Sequence, residues 1–329
     1  MATTTTGSPD TLPYAEDDKL GPIGGKVSAL YEPADLRTWL VREFSEAVAA
    51  AKAAAASVTG NSATSVHETR KALRRTRAVL EMLAGALPKS ERKAVRRALR
   101  DARRALSTAR DHAVAPGTLG SLPLDEADQA TARKVLDNAA EAQPPGAELA
   151  QLVGESATRA AAQLEAIQAA LPPTIKWSLV VDGVAGVYDD ARRARRRAKD
   201  SRSWFHTWRR RTKELAYQLQ LIAEHAGPRV AAIQAELAAV NETLGPAVDL
   251  IMLRDYVTTH SQGIAPADLE RQVAVIDAQL DDQMKAARKA GADSFEQKAR
   301  KFAKRLTKAV RRDLTPADDA DVAADSAAD

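Results

Sequence analysis

Two stretches of this chain align with each other without a gap. VHETRKALRRTRAVLEML, beginning at Val66, lies over FHTWRRRTKELAYQLQLI, beginning at Phe205, and His206 follows His67 by 139 positions. Farther along, LSTARDHAV from Leu106 lies over LGPAVDLIM from Leu244, which sets Asp249 138 positions after Asp111. One matched segment could be a coincidence of composition. A second landmark at nearly the same offset makes duplication the better explanation and points to two related halves.

Within each half the pattern is helical. Aromatic residues are 4% of the chain while Ala, Leu, Arg and Glu dominate, and these residues keep rotamer freedom in a helix and lack β-branching. The expected fold class is therefore all-α. Apolar spacing predicts helices over Ala34 to Ser57, Thr64 to Leu87, Ser90 to Ala109, Asp125 to Ala142 and Gly146 to Leu171. A second series is expected over Ile175 to Lys199, Ser201 to Ala226, Arg229 to Leu244, Pro246 to His260, Pro266 to Ala290 and Ser294 to Arg312. The breaks at Leu87-Pro88, Pro144-Pro145-Gly146, Pro172-Pro173 and Gly227-Pro228 each remove a backbone donor or disfavour helix in the preceding residue. Short connections imply antiparallel neighbours and bundle packing in each half. Residues 1–26 and the acidic end, 313–329, carry no periodicity and read as disordered, leaving 27–172 and 173–312 as the two halves.

Projected at ~100° per residue, the first repeated helix gathers Leu73, Thr76, Val79, Leu80 and Leu83 on one side. His67, Arg70, Lys71, Arg74 and Arg75 gather opposite, with Arg77 at the edge. The second helix sets Trp204, Trp208, Leu215, Leu219 and Ile222 against His206, Arg209, Arg210, Lys213 and Tyr217. A charged face is usually a solvated one. These faces, however, read as lacking the acids that an ordinary surface helix uses for i,i+4 pairs, so the cations repel one another, and they do so twice. Such a repeated cost suggests a multivalent anion. Arginine offers phosphate a fork of donors, lysine a compact charge, and histidine a donor whose pKa an anion raises. Tyr217 is the one aromatic residue on either basic face, and stacking is the usual source of affinity for single-stranded nucleic acid. Nucleic acid is accordingly the weaker candidate ligand, although a sequence pI near 9.2 keeps it in view.

Neighbouring helices add cations of lower rank: Arg103 in the first half, Arg192, Arg195 and Lys199 in the second, and Lys301 and Lys304 near the end. Their helices also bury apolar stripes, so solvation alone can account for them. Cysteine is absent, which excludes disulfides, thiolate metal sites and thiol nucleophiles. No Gly-rich phosphate loop, HExxH pair or nucleophile elbow occurs, so the chain reads as non-catalytic, without cofactor or metal. The start MATTTTGSPD has neither a charged lead nor an apolar run, and no stretch approaches the ~18 apolar residues of a spanning helix. A cytoplasmic protein without a membrane partner is expected.

At the repeated helices the chain resembles the CHAD family, the conserved-histidine α-helical domains. The resemblance runs through His67, Arg70, Arg74, Arg75 and Arg77 with Ala109-Arg110-Asp111, then through His206, Arg209, Arg210, Lys213 and Tyr217 with Leu244-Gly245 and Asp249. It extends roughly from Val27 to Arg312. It implies two bundles related by a pseudo-twofold axis, with paired basic faces lining a central groove or pore that binds inorganic polyphosphate, and association with polyphosphate granules. Ala216 stands at the counterpart of Arg77 and Val248 at that of Arg110, so the second half departs from the pattern. CYTH domains, often fused to this family, begin with an alternating-glutamate strand. None is seen here, so the chain looks like a stand-alone member.

His67 and His206 with Asp111 and Asp249 could also be read as a duplicated metal site of a phosphate-metabolising enzyme. Surrounding cations oppose that, and the preferred role for both aspartates, shared with Arg110, is to orient the binding arginines. His112 has Leu250 at its aligned position and reads as a core or surface residue. His225 and His260 stand at expected helix ends, where a cation is favoured.

Overall fold

Apolar residues at helical spacing build every element of the computed structural model, which describes residues 36–56, 62–142, 146–199 and 201–315. Among the described residues there are eleven α-helices and no strand. In chain order they are α1 (Leu36–Ala56), α2 (Ser62–Met82), α3 (Lys89–Ala105), α4 (Ser107–Gly120), α5 (Glu126–Glu141) and α6 (Gly146–Ala170). After Pro172-Pro173 come α7 (Trp177–Arg197), α8 (Arg202–Ala226), α9 (Pro228–Thr259), α10 (Pro266–Ala290) and α11 (Ala299–Leu314). The all-α reading of the sequence holds. The segment 1–26, expected to be disordered, lies outside the described residues, as do 316–329 of the acidic end.

Three expectations need correction. The expected gap between Ala109 and Asp125 is largely helix, because α3 ends at Ala105 and α4 runs on through Pro116. Leu106, at φ −98° and ψ 10°, makes the bend between them and is itself buried. Likewise α9 continues through Pro246, where two helices were expected. The missing donor of a mid-helix proline costs roughly 3 kcal/mol. Here both prolines face outward while Ala115 and Leu119, or Leu244, Ala247 and Val248, are buried around them, so packing keeps each helix whole. Finally, Asp313 belongs to α11, not to an acidic tail. Its carboxylate accepts from the backbone N–H groups of Arg229 and Val230 at 2.9 and 3.0 Å, satisfying orphan donors at the start of α9. Gly227, at φ 140°, makes the reversal that brings α9 there.

In the first series α1 packs on α2 and α6, and α3 on α6. In the second α8 packs between α7 and α9, α10 lies along α9, and α11 crosses α7 and α9. The two series meet where α2 touches α7 and α8, where α4 lies on α9, and where α5 lies on α10. Gly183 of α7 permits that approach, since a Cβ there would stand 2.5 Å from the carbonyl oxygen of Glu81. Ring contacts add to this core. Trp39 lies against His225 at 4.6 Å and Trp177 at 6.0 Å, while Tyr188 stacks on Phe302 at 4.1 Å.

A buried ionic network ties α2 to α8. Glu214 accepts from Arg77 Nε at 3.2 Å through one oxygen and from Arg211 at 2.8 Å through the other. Arg211 continues to Asp190 of α7 at 2.9 Å, and Glu81 pairs with Arg96 of α3 at 2.5 Å. Charges this deep persist only when each has a partner.

Candidate functional site

On α2, Arg70 and Arg74 stand one turn apart and half-buried beside the fully buried Thr69, Leu73 and Thr76, with Arg74 near Tyr217 across the seam with α8 and Arg70 turned towards α3 and α4. Across that seam, Arg209, Lys213 and Tyr217 form the matching stripe of α8, held by buried Phe205, Trp208, Leu215 and Leu219. Arg110 enters from α4. Its guanidinium pairs with Asp249 of α9 at 2.6 Å and with Asp111 at 3.2 Å. Residues far apart in the chain thus converge on one cationic cluster.

Electrostatics shows how close these charges are. Lys213 is pushed down to about 7, first by burial and then by Arg74, Arg209 and Arg110, with Asp249 acting the other way. Burial, with Arg74 and Arg110, brings Arg70 down to about 10, and Arg209 falls to about 10 for the same reasons. Arg74 is also lowered, by burial foremost. His67 is lowered chiefly by burial and further by Arg74, Lys213 and Lys71, against Glu68. Every guanidinium remains charged at neutral pH. Asp111 is raised by burial in spite of Arg110 and Arg70.

Hydrogen bonds fix the geometry. Arg70 donates to the Arg103 carbonyl at 3.0 Å, and Arg74 Nε to the Arg70 carbonyl at 3.3 Å. Arg209 donates to Asn241 Oδ1. Gly245, one turn beyond Asn241 on α9, lies beside the Arg209 guanidinium, where even a Cβ would make only ordinary contact at 3.8 Å. Asn241 escaped the sequence reading, yet Asn241, Gly245 and Asp249 at spacings of four describe one polar helix face. Beside the cluster, α4 and α9 leave a small recess between Arg110, Asp111, Asp249, Met252 and Tyr256.

The remaining candidates separate into groups. His67 and Lys71 are exposed and share Glu68, at 3.9 and 3.5 Å, so the basic face is not free of acids as expected. His206 and Arg75 are half-buried. Arg210 acts on the Glu214 carboxylate. Arg77, expected at the edge of the binding face, is instead buried in the Glu214 and Glu81 ion pairs and is removed from the ligand-contacting set. Arg103 meets the cluster through its carbonyl. Arg195 lies over Trp208 at 5.9 Å and donates to the Arg288 carbonyl, and the charge of Arg192 acts on Tyr188. Lys199, Lys301 and Lys304 are exposed.

The other histidines depart from expectation. His225 and His260, read as helix-end cations, are both lowered by burial, which favours the neutral ring. His112 is a core residue with Nδ1 3.1 Å from the Tyr256 hydroxyl. Among the described residues no group of three or more His, Asp or Glu side chains is placed to hold a metal ion.

The family model for the CHAD domain matches residues 42–258. The chain belongs to the CHAD family. That span holds every residue of the cluster, whereas the resemblance read from the sequence reached from Val27 to Arg312. Helices α10 and α11 lie beyond the family match. Among solved structures the chain is similar to the CHAD domain from the plant Ricinus communis, with a TM-score of 0.55 and 18% identity, covering 82% of this chain and 96% of that one. At this identity the likeness shows a common CHAD fold. Comparison with curated proteins gave no match. Among the described residues of this CHAD chain no helix is long and apolar enough to cross a membrane.

Proposed function

We propose that this CHAD chain binds inorganic polyphosphate without catalysing its breakdown, through the cluster that α2, α4 and α8 form between the two halves. The observation that carries the reading is the convergence of Arg70, Arg74, Arg209 and Lys213, partly buried and mutually repelling, with the nearby Asp249 and Asp111 both engaged by Arg110. Like charges held together out of water destabilise the empty fold. A chain of phosphates reverses that cost, and each charge-assisted contact contributes ~1.5 to 3 kcal/mol locally. Asp249, Asp111 and Asn241 serve to orient Arg110 and Arg209. His67 and Lys71, exposed at the edge, meet the chain as it leaves the seam. In this reading the protein works in the cytoplasm, at polyphosphate granules.

A nucleic acid would meet the same charges, but the rings it needs are committed. Phe205 and Trp208 are buried, and Trp204 is covered by Arg197 at 4.6 Å. Tyr217 alone is left in the seam, which favours a ligand without bases.

Titration of labelled polyphosphate at about 50 and 200 mM salt tests the assignment, since displaced counterions make affinity fall steeply. Changing Arg70, Arg74, Arg209 and Lys213 together to Ala is expected to abolish binding while helical circular dichroism is kept. Unchanged affinity in that variant refutes the proposal. Displacement by single-stranded DNA at equal phosphate concentration shows that the ligand class is wider than polyphosphate.

A further inference from the structure

A methionine sulfur stands at the edge of the cationic cluster. Asp249, Met252 and Tyr256 follow one another on α9 at spacings of three and four, which sets them on one helix face. That face meets Arg110 and Asp111 of α4 across the small recess. There Met252 Sδ touches Arg110 Nη1 at 2.6 Å, the same nitrogen that donates to Asp111 at 3.2 Å, while Nη2 donates to Asp249 at 2.6 Å. The thioether is a third, weak acceptor on that guanidinium. Met252 is half-buried and lines the recess, whereas Met82 and Met284 sit in the core at 0% and 6% exposure. Met1 lies outside the described residues, and the chain has no cysteine to compete for an oxidant. We propose that Met252 is a site of oxidation by hydroperoxides, and that its sulfoxide takes hold of Arg110 and weakens the binding of phosphate chains.

The step balances with the peroxide alone. A lone pair of Sδ forms a bond to one peroxide oxygen, and the O–O bond breaks. The departing hydroxide takes the proton that the transferred oxygen sheds, so a thioether and hydrogen peroxide give a sulfoxide and water. Sulfur loses the electron pair that the peroxide gains. Hydrogen peroxide is little larger than water, and the recess is partly open to solvent. Oxidation turns a weak acceptor into a polar group whose oxygen carries partial negative charge. That oxygen competes with phosphate for the Arg110 donors, of which Nη1 is already directed to Asp111 and Met252 and Nη2 to Asp249. The consequence reaches the whole cluster, because the charge of Arg110 acts on Arg70, Arg74, Arg209 and Lys213 alike. One guanidinium therefore separates the sulfur from the residues proposed to hold the ligand. Methionine sulfoxide can be reduced again, so the effect is reversible.

The inference rests on the anion-binding reading of the same cluster, and its test separates the two. The full chain is exposed to hydrogen peroxide, and peptide mass spectrometry follows each methionine. Met252 is expected to oxidise about tenfold faster than Met82 and Met284. Comparable rates at the three overturn the inference. Tripolyphosphate, titrated calorimetrically, is expected to bind the oxidised protein about fivefold more weakly than the untreated one, the loss of roughly one hydrogen bond. A methionine sulfoxide reductase should restore the affinity, and Met252→Leu should bind alike before and after peroxide. Unchanged affinity in the oxidised wild type, or the same loss in Met252→Leu, overturns the inference. Side-chain resonances of isotope-labelled arginine give a readout without ligand. The Arg110 signal, identified by its absence from Arg110→Lys, is expected to move when the wild type is oxidised, and a signal that stays in place overturns the inference. Failure of the untreated protein to bind tripolyphosphate defeats the ligand assignment and with it the effect on binding, while a moved Arg110 signal leaves the modification site standing.

Discussion

Lys213 carries opposite consequences for stability and for binding. Its folded-state value, about 7, lies below that of an unfolded lysine, so folding disfavours the charged form. The resulting destabilisation is complete below about pH 7 and vanishes only above the unfolded value near 10.4. Replacing Lys213 with Met should therefore stabilise the empty protein at neutral pH by on the order of 1 kcal/mol once solvent screening is allowed for, read by urea unfolding. Binding has the reverse sign. A phosphate beside Nζ raises its basicity, the complex takes up a proton, and affinity should fall as pH rises above about 7. Isothermal titrations across that range, in two buffers of different ionisation enthalpy, will show the proton uptake, and Lys213→Arg should reduce it to the share that His67 contributes. His67 and Lys213 were both visible in the repeat. The lowered basicity of Lys213 was not, because it arises first from burial and then from charges such as Arg74 and Arg110, and both come only with the packing of α2, α4 and α8.

Among the elements, the α2–α8 contact decides whether two basic faces make one site. Glu214 holds it by accepting from Arg77 and Arg211 on opposite oxygens. Burial alone would raise this carboxyl, but the two guanidinium groups hold it below the usual glutamate range. Its contribution is present above that range and lost as pH falls through the lowered value. Glu214→Ala would leave the buried Arg77 and Arg211 with Glu81 and Asp190 as their carboxylate partners, at a cost of about 3 kcal/mol, measured by denaturant unfolding at neutral pH. The sequence showed that α2 and α8 exist and which faces are apolar, since that follows from spacing. It misassigned Arg77, whose position in the stripe of Arg70 and Arg74 is that of a ligand-facing residue. Its partner, Glu214, lies 137 residues away, and no local pattern announces it. The run-through prolines at 116 and 246 were illegible for the same reason, because buried neighbours outweigh a local rule.

For the molecule as a whole, the proposed reading gives the two halves one shared binding site at the seam where α2 meets α8. The offset between repeats suggested two related faces, with Ala216 and Val248 marking the second as different. The structure joins them unequally, with Arg110 supplied by α4 and, at the aligned position, Val248 on α9 largely buried. Tripolyphosphate titrated calorimetrically into the wild type, Arg74→Ala and Arg209→Ala tests this most directly. A single shared site predicts one tripolyphosphate per chain in all three proteins, with affinity weakened in each variant although the changes lie on different halves. Two ligands per chain in the wild type, falling to one undiminished site in each variant, would contradict it.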